Sequence, residues 1–302
     1  MAQRHPTIEE RGQERAFLLT LSADSALVLG LVAVAAMSGS LSLLGETIRT
    51  AILLLLHFHA LWVLCSAHRG RFTKYEFGVG KIEHLVWTLL GLAALIGAYW
   101  VSIRLAGTLL GDATAASPMG LAFAAVANAV ALTVNYCGLK AMEGYATEDA
   151  SGVLRAQISA RQGMLLVSLS LMPPMTAAAL ASDPVVAFAF DAVGAAAMIY
   201  LKLLRAVVML REGLPGLLDA PATVEMKTRV MEIVRSIVPG ASFRGVRTRR
   251  CGTVTDVEVL VDADFIGSGT DLTKMNDLVV RRLREDGLKA RFALVVANPN
   301  QG

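Results

Sequence analysis

Long apolar runs fill the first two thirds of the chain, and short alternating ones the last third. Crossing a bilayer core as a helix takes about 20 mostly apolar residues. Six stretches meet that need: residues 17–37, 43–66, 84–106, 118–142, 154–181 and 184–210. The fifth contains Pro173-Pro174, two missing backbone donors, which predicts a kink or an end there. Beyond residue 218 the period changes. Met226, Val230, Ile233, Val234 and Ile237 share one face of a helix over 222–238. Val257, Val259 and Val261 alternate with Asp256, Glu258 and Leu260, the pattern of a half-buried strand. A strand at 243–250, a helix over 270–286 through Leu272, Met275, Val279 and Leu283, and a strand through Phe292, Leu294 and Val296 complete the order α-β-β-α-β. That order predicts a small α+β domain, with Asp262 to Gly269 as turn chemistry.

Charge divides the chain at the same place. Residues 1–218 carry 14 acidic and 15 basic side chains, whereas the 84 residues from 219 to 302 carry 11 and 13. The domains expected are therefore an N-terminal arm (1–16), a six-span membrane part (17–211) and a soluble part (212–302). Glu9, Glu10 and Glu14 in the arm are a poor match to the basic start of a signal peptide, so the first apolar stretch reads as an uncleaved span. Arg4, Arg11 and Arg15 precede span one, and Arg69, Arg71, Lys74 and Lys81 follow span two. Lys140 and Arg155 flank the link between spans four and five, and Arg205 and Arg211 close span six; 38–42 and 107–117 hold no basic residue. By the positive-inside bias both termini are cytoplasmic, and a multi-pass protein of the plasma (inner) membrane is expected.

Composition removes several function classes. At 302 residues, 55% hydrophobic and 18% charged, the chain is neither disordered nor an ordinary soluble enzyme. A net charge of +3 is too small for a nucleic-acid binder, and Arg244, Arg247, Arg249 and Arg250 lack interleaved aromatics and alternate between strand faces. Cys65, Cys137 and Cys251 form no CxxC pair, which excludes a disulfide framework and a zinc cluster. No P-loop, nucleophile elbow or Ser/His/Asp arrangement is present, so no enzyme and no firm cofactor are expected.

After span two the chain reads Phe77-Gly78-Val79-Gly80-Lys81-Ile82-Glu83. Gly39-Ser40 lies before Leu43-Leu44, Ser151-x-x-Leu154-x-Ala156 at the start of span five, Asp191 at the start of span six, Leu217-Leu218-Asp219 at its exit, and Thr248-Arg249 to Gly252 further on. In this order and spacing these features resemble the cation diffusion facilitators, divalent-metal/proton antiporters whose signature is F-G-x-G-[KR]-x-E. The resemblance covers nearly the whole chain. It implies a six-helix membrane bundle with a cytoplasmic ferredoxin-like α+β domain, and a dimer, either with itself or with a related transporter. It also implies a mid-membrane site for a divalent ion such as zinc, built from two [HD]-x-x-x-D pairs on spans two and five. Residues i and i+4 share a helix face, so such pairs converge.

Those four positions fall on Arg49, Leu53, Ala160 and Met164, none a normal ligand for a hard or borderline cation; arginine has no lone pair to give. Val79 stands where the resemblance implies an ancillary histidine, and the soluble-domain ligand positions fall on Arg244, Glu258, Val296 and Asn298. Lys81 and Asp219 match a lysine–aspartate pair that, in the family, locks the membrane and soluble parts at the dimer interface. Scaffold features are kept while the ligands are lost.

Ionisable residues inside a span are expensive and functional by default. Arg49 has Glu46 three residues earlier and Leu53 and His57 on the same stripe. Two readings stand: a Glu46–Arg49 pair that puts a fixed cation in the transport site, or an interfacial Glu46 with a snorkelling Arg49. His57 and His59 point to different faces. Asp24, Glu46 and His57 are the candidates for a polar path, with Gln157 and Asn135 as possible partners of Asp24. Met164, Met172 and Met175 read as packing rather than as soft-metal ligands. Two functions follow: a facilitator-type divalent-cation transporter, or a transport-inactive structural or regulatory subunit paired with an active paralogue.

Overall fold

Six long helices precede a small mixed domain. In the computed structural model, residues 5–38, 41–71, 80–111, 118–146, 151–237, 243–252, 254–262, 272–288 and 290–296 are described, apart from the side chains of 34–49, 52, 118–124, 243–244, 272–273 and 296. The helices are α1 (Ile8–Ser38), α2 (Leu41–His68), α3 (Gly80–Leu109), α4 (Pro118–Glu143), α5 (Gly152–Leu180) and α6 (Pro184–Leu217). After them come α7 (Val224–Ile237), β1 (Phe243–Cys251), β2 (Val254–Val261), α8 (Leu272–Glu285) and β3 (Ala290–Val296). The chain divides into two compact units, Met1–Lys74 with Val86–Glu212, and Tyr75–Leu85 with Gly213–Gly302.

In the first unit, four helices among the described residues are long and apolar enough to cross a membrane: Ile8–Ala33 of α1, α3, α5 and α6, with mean hydropathy of 1.6 to 1.9. Their outward faces carry large apolar side chains such as Leu29, Ile96, Tyr99, Leu169 and Tyr200, all more than half exposed. Helices of that length with apolar outward faces mark a membrane protein.

α1 begins nine residues ahead of the expected apolar stretch, so part of the predicted arm is helix. A capping box accounts for this: Thr7 N–H donates to Glu10 Oε2 at 2.7 Å, and Glu10 N–H to Thr7 Oγ1 at 3.2 Å, satisfying two of the first-turn donors that have no partner within the helix. Glu14 then ties α1 to the end of α2, accepting from both Arg69 Nη atoms at 3.0 and 2.8 Å and facing His68 Nδ1 at 3.2 Å. The helix does not end at Pro173-Pro174. α5 runs through both prolines to Leu180, because an apolar surround offers the remaining backbone groups no partner but the helix itself.

α1, α2, α4 and α5 pack on one another, through small residues. Gly138 of α4 lies against Thr20 of α1, and Gly12 against Tyr145; a Cβ at either glycine would collide. Asn128 Nδ2 donates to the Ser168 carbonyl at 2.8 Å, joining α4 to α5. α3 meets α6 where Gly91 faces Met209 and Leu210, and Gly194 of α6 receives Pro174 of α5.

In the second unit the sheet order is β1-β2-β3, with β1–β2 antiparallel and β2–β3 parallel across α8. Parallel neighbours need a crossover, and α8 supplies it. Val257, Val259 and Val261 point into a core with Val230, Ile233, Val234, Val279 and Leu283. The face expected from the alternating pattern is the buried one.

Leu283→Ala empties a fully buried position of this core and is expected to cost about 2–5 kcal/mol. The readout is amide hydrogen exchange across β1–β3 in the detergent-solubilised chain; exchange unchanged from wild type contradicts the packing described.

Candidate functional site

The interior of the first unit holds one concentrated group of polar side chains. Asp24 lies near the middle of α1, His57 on α2, Asn135 on α4, and Gln157 and Arg161 one turn apart on α5. Arg161 is 2% exposed, Gln157 0%, His57 4% and Asn135 8%. The guanidinium is gripped by its two terminal nitrogens. Nη1 donates to Asp24 Oδ1 at 3.0 Å and to Asn135 Oδ1 at 2.9 Å, and Nη2 donates to Asp24 Oδ2. This is the two-pronged arginine–carboxylate geometry, the strongest of the side-chain ion pairs. His57 Nδ1 stands 3.6 Å from the same Oδ2, an electrostatic contact too long for a hydrogen bond.

The group holds more polar atoms than its contacts use. Both amide atoms of Gln157, Nε of Arg161 and Nε2 of His57 are buried with no hydrogen-bond partner among the described residues. In charge the cluster is one carboxylate against one permanent cation. Either charge alone would be costly here: removing one partner of a buried pair typically costs about 3–5 kcal/mol.

A second arrangement gathers the start of α3, the end of α6 and the β1–β2 turn, all within the second unit. Lys81 Nζ donates to Asp219 Oδ2 at 2.8 Å, with the two side chains 50% and 41% exposed. Asp219 closes α6: its φ is +53°, and Ala220 N–H reaches back to Pro215 O at 2.8 Å. This is the helix ending in which glycine normally takes the left-handed position. Next to it, buried His84 accepts a hydrogen bond at Nε2 from Gly252 N–H at 3.1 Å. Three glycines permit the approach. A Cβ at Gly80 would strike the Cys251 carbonyl, at Gly216 the His84 ring, and at Gly252 (φ +64°) the Glu83 carboxylate. Asp256 on β2 accepts from Arg249 at 2.9 Å, from Arg291 at 2.7 Å and from the Cys251 thiol at 3.3 Å. Burial, then the hydrogen bond to Asp256, pushes the Cys251 thiol above its ordinary value.

The model of the cation efflux transmembrane domain matches residues 17–218. The chain belongs to the cation efflux family. No curated protein matches it. Family and apolar helices together support a cation efflux transporter.

Against the family's ligand positions, Ala160 is buried, and Leu53 and Met164 are partly buried; the side chains of Arg49 and Glu46 lie outside the described residues, as does Val79. No group of three or more His, Cys, Asp or Glu able to hold a metal occurs among the described residues. Of the candidate polar path, Asp24 and His57 come together. Asn135 and Gln157 do not bind Asp24 directly as expected: Asn135 reaches it through Arg161, and neither amide atom of Gln157 has a partner among the described residues. The residue that sequence reasoning missed is Arg161. The signal was available, since an arginine inside an apolar stretch and an unpartnered Asp24 in another stretch each need a counter-charge.

Gly216→Ala places a methyl group on the buried imidazole and is expected to cost about 1–3 kcal/mol, whereas Lys81→Ala removes an exposed pair worth about 0–1 kcal/mol. Thermal unfolding of the two variants checks the order; the reverse order contradicts a close-packed joint. The Cys251 thiol carries less thiolate near pH 8 than a free cysteine, so in a Cys65→Ser/Cys137→Ser background its alkylation is expected to be slower than that of a model thiol and to rise only at higher pH. Alkylation matching the model thiol at every pH would show an open turn.

Proposed function

We propose that this protein moves a divalent cation in exchange for protons across the cytoplasmic membrane. In this reading all six long helices cross the bilayer, both termini are cytoplasmic, the second unit is a ferredoxin-like cytoplasmic domain, and the working form is a dimer steadied by the Lys81–Asp219 pair. The protein is a transporter and not an enzyme, and the metal is cargo rather than a resident cofactor. The observation that carries the reading is the contact between half-buried Asp24 and buried His57 inside a cation efflux bundle. A carboxylate and an imidazole are donors suited to zinc and its neighbours, and both groups can also carry protons. Leu53, Ala160 and Met164 offer no nitrogen or oxygen side-chain atom, so the route passes Asp24 and His57 instead.

A second reading is favoured by Arg161. Its guanidinium already neutralises Asp24, which suits a transport-silent subunit that pairs with an active paralogue and contributes structure or regulation.

Flux into proteoliposomes of the purified protein separates the two. With zinc, manganese, iron(II), cobalt and cadmium tested under an imposed pH gradient, at least one ion is expected to move, and Asp24→Asn is expected to abolish that movement. A folded dimer that moves none of the five overturns the transport reading in favour of the silent subunit. Flux that survives Asp24→Asn overturns the proposed route.

A further inference from the structure

We propose that the Arg161 guanidinium sits in a cation seat formed by Asp24, His57, Asn135 and Gln157, as a built-in occupant, and that a divalent cation takes this seat once the guanidinium is removed. The inference deepens the transport reading by naming what holds Asp24 in the resting protein, but its test is binding and requires no flux.

Three observations carry it. The occupant is permanently charged: arginine does not deprotonate in proteins, so this interior always contains a cation. Acceptor oxygens meet it from two other helices, two from Asp24 on α1 and one from Asn135 on α4, and His57 of α2 stands against the same Asp24 carboxylate. Finally, the guanidinium does not use the full set. Gln157, one turn from Arg161 on the same face of α5, is completely buried, and both its amide atoms, His57 Nε2 and Arg161 Nε have no partner among the described residues. Unsatisfied buried polar atoms cost about 1–3 kcal/mol each, a penalty that an ion drawing on Gln157 and His57 relieves. One carboxylate, one imidazole and two amide oxygens are a mixed oxygen and nitrogen set of the kind that takes a divalent first-row cation.

The consequence is a lock. While the guanidinium is in place, Asp24 has no charge to offer an incoming ion, and a dication approaching it meets a positive neighbour. Access to the seat then requires α5 to carry Arg161 away from Asp24.

The test uses the full chain purified in detergent, with zinc, cadmium and manganese chlorides as the probes. Titration calorimetry and thermal unfolding are recorded for wild type, Arg161→Gln, Arg161→His and Arg161→Gln/Asp24→Asn. Arg161→Gln and Arg161→His are expected to unfold at lower temperature than wild type without metal. Both should regain stability on adding one of the three ions and bind it roughly tenfold or more tightly than wild type does, and the gain should vanish with Asp24→Asn. Equal binding by wild type and the Arg161 variants overturns the proposal, as does a gain that persists without Asp24. Failure of metal to stabilise or recover either variant, even when purified in its presence, also overturns it, because the ion is then no substitute for the guanidinium. Binding without flux in wild-type liposomes leaves the seat standing and removes only the transport reading; flux without this binding does the reverse.

Discussion

The first unit is organised around one charge balance. A guanidinium and a carboxylate in an apolar bundle are each prohibitive alone, and the bidentate contact between Arg161 and Asp24 makes both tolerable. Because Asp24 belongs to α1 and Arg161 to α5, with Asn135 bringing in α4 and His57 bringing in α2, the pair fixes the mutual height of four helices. Van der Waals packing between small residues is only weakly directional along a helix axis. Hydrogen bonds with defined partners are directional, and in a medium without water a shifted register would leave charges unmatched.

The second unit shows a different solution to a similar problem. Its joint depends on close backbone approach rather than on charge. Gly80, Gly216 and Gly252 remove the Cβ atoms that would hold α3, α6 and the β1–β2 turn apart, and the His84 imidazole then satisfies the Gly252 N–H that the turn leaves over. The Lys81–Asp219 pair lies at the exposed margin, where solvent screens it. Asp219 also accepts the left-handed backbone of a helix ending, a conformation that aspartate tolerates better than most residues. Within the signature, Gly80 is a clearance for the β1–β2 turn and Lys81 a charged latch beside it.

Much of this was legible beforehand, for identifiable reasons. The β2 valines lie on the buried face because strand periodicity leaves only one choice, and the helices appear where apolar length demanded them. The start of α1 was legible but not read: Thr7 and Glu10 form a capping box whose spacing is visible in the sequence. The alternative of a helix end at Pro173-Pro174 does not occur, because the rule for proline in water assumes that freed carbonyls find solvent, whereas lipid offers none. Arg161 lies off the family's ligand register, which falls one residue earlier on Ala160 and, on α2, on Arg49. A register argument sees only the aligned positions. A charge argument asks instead which cation can reach Asp24, and a helix bundle allows that cation to come from any neighbour.

That difference bears on how loss of a ligand set should be read. Hydrocarbon at Leu53, Ala160 and Met164 would by itself make an inert apolar core, yet the same bundle also holds Asp24, His57, Asn135 and Gln157. The guanidinium cancels the Asp24 charge, so the pair is neutral as a unit among the other polar groups of the bundle. With a permanent cation held on Asp24, any movement of α5 against α1 has to be driven through the contact that holds Arg161 to Asp24.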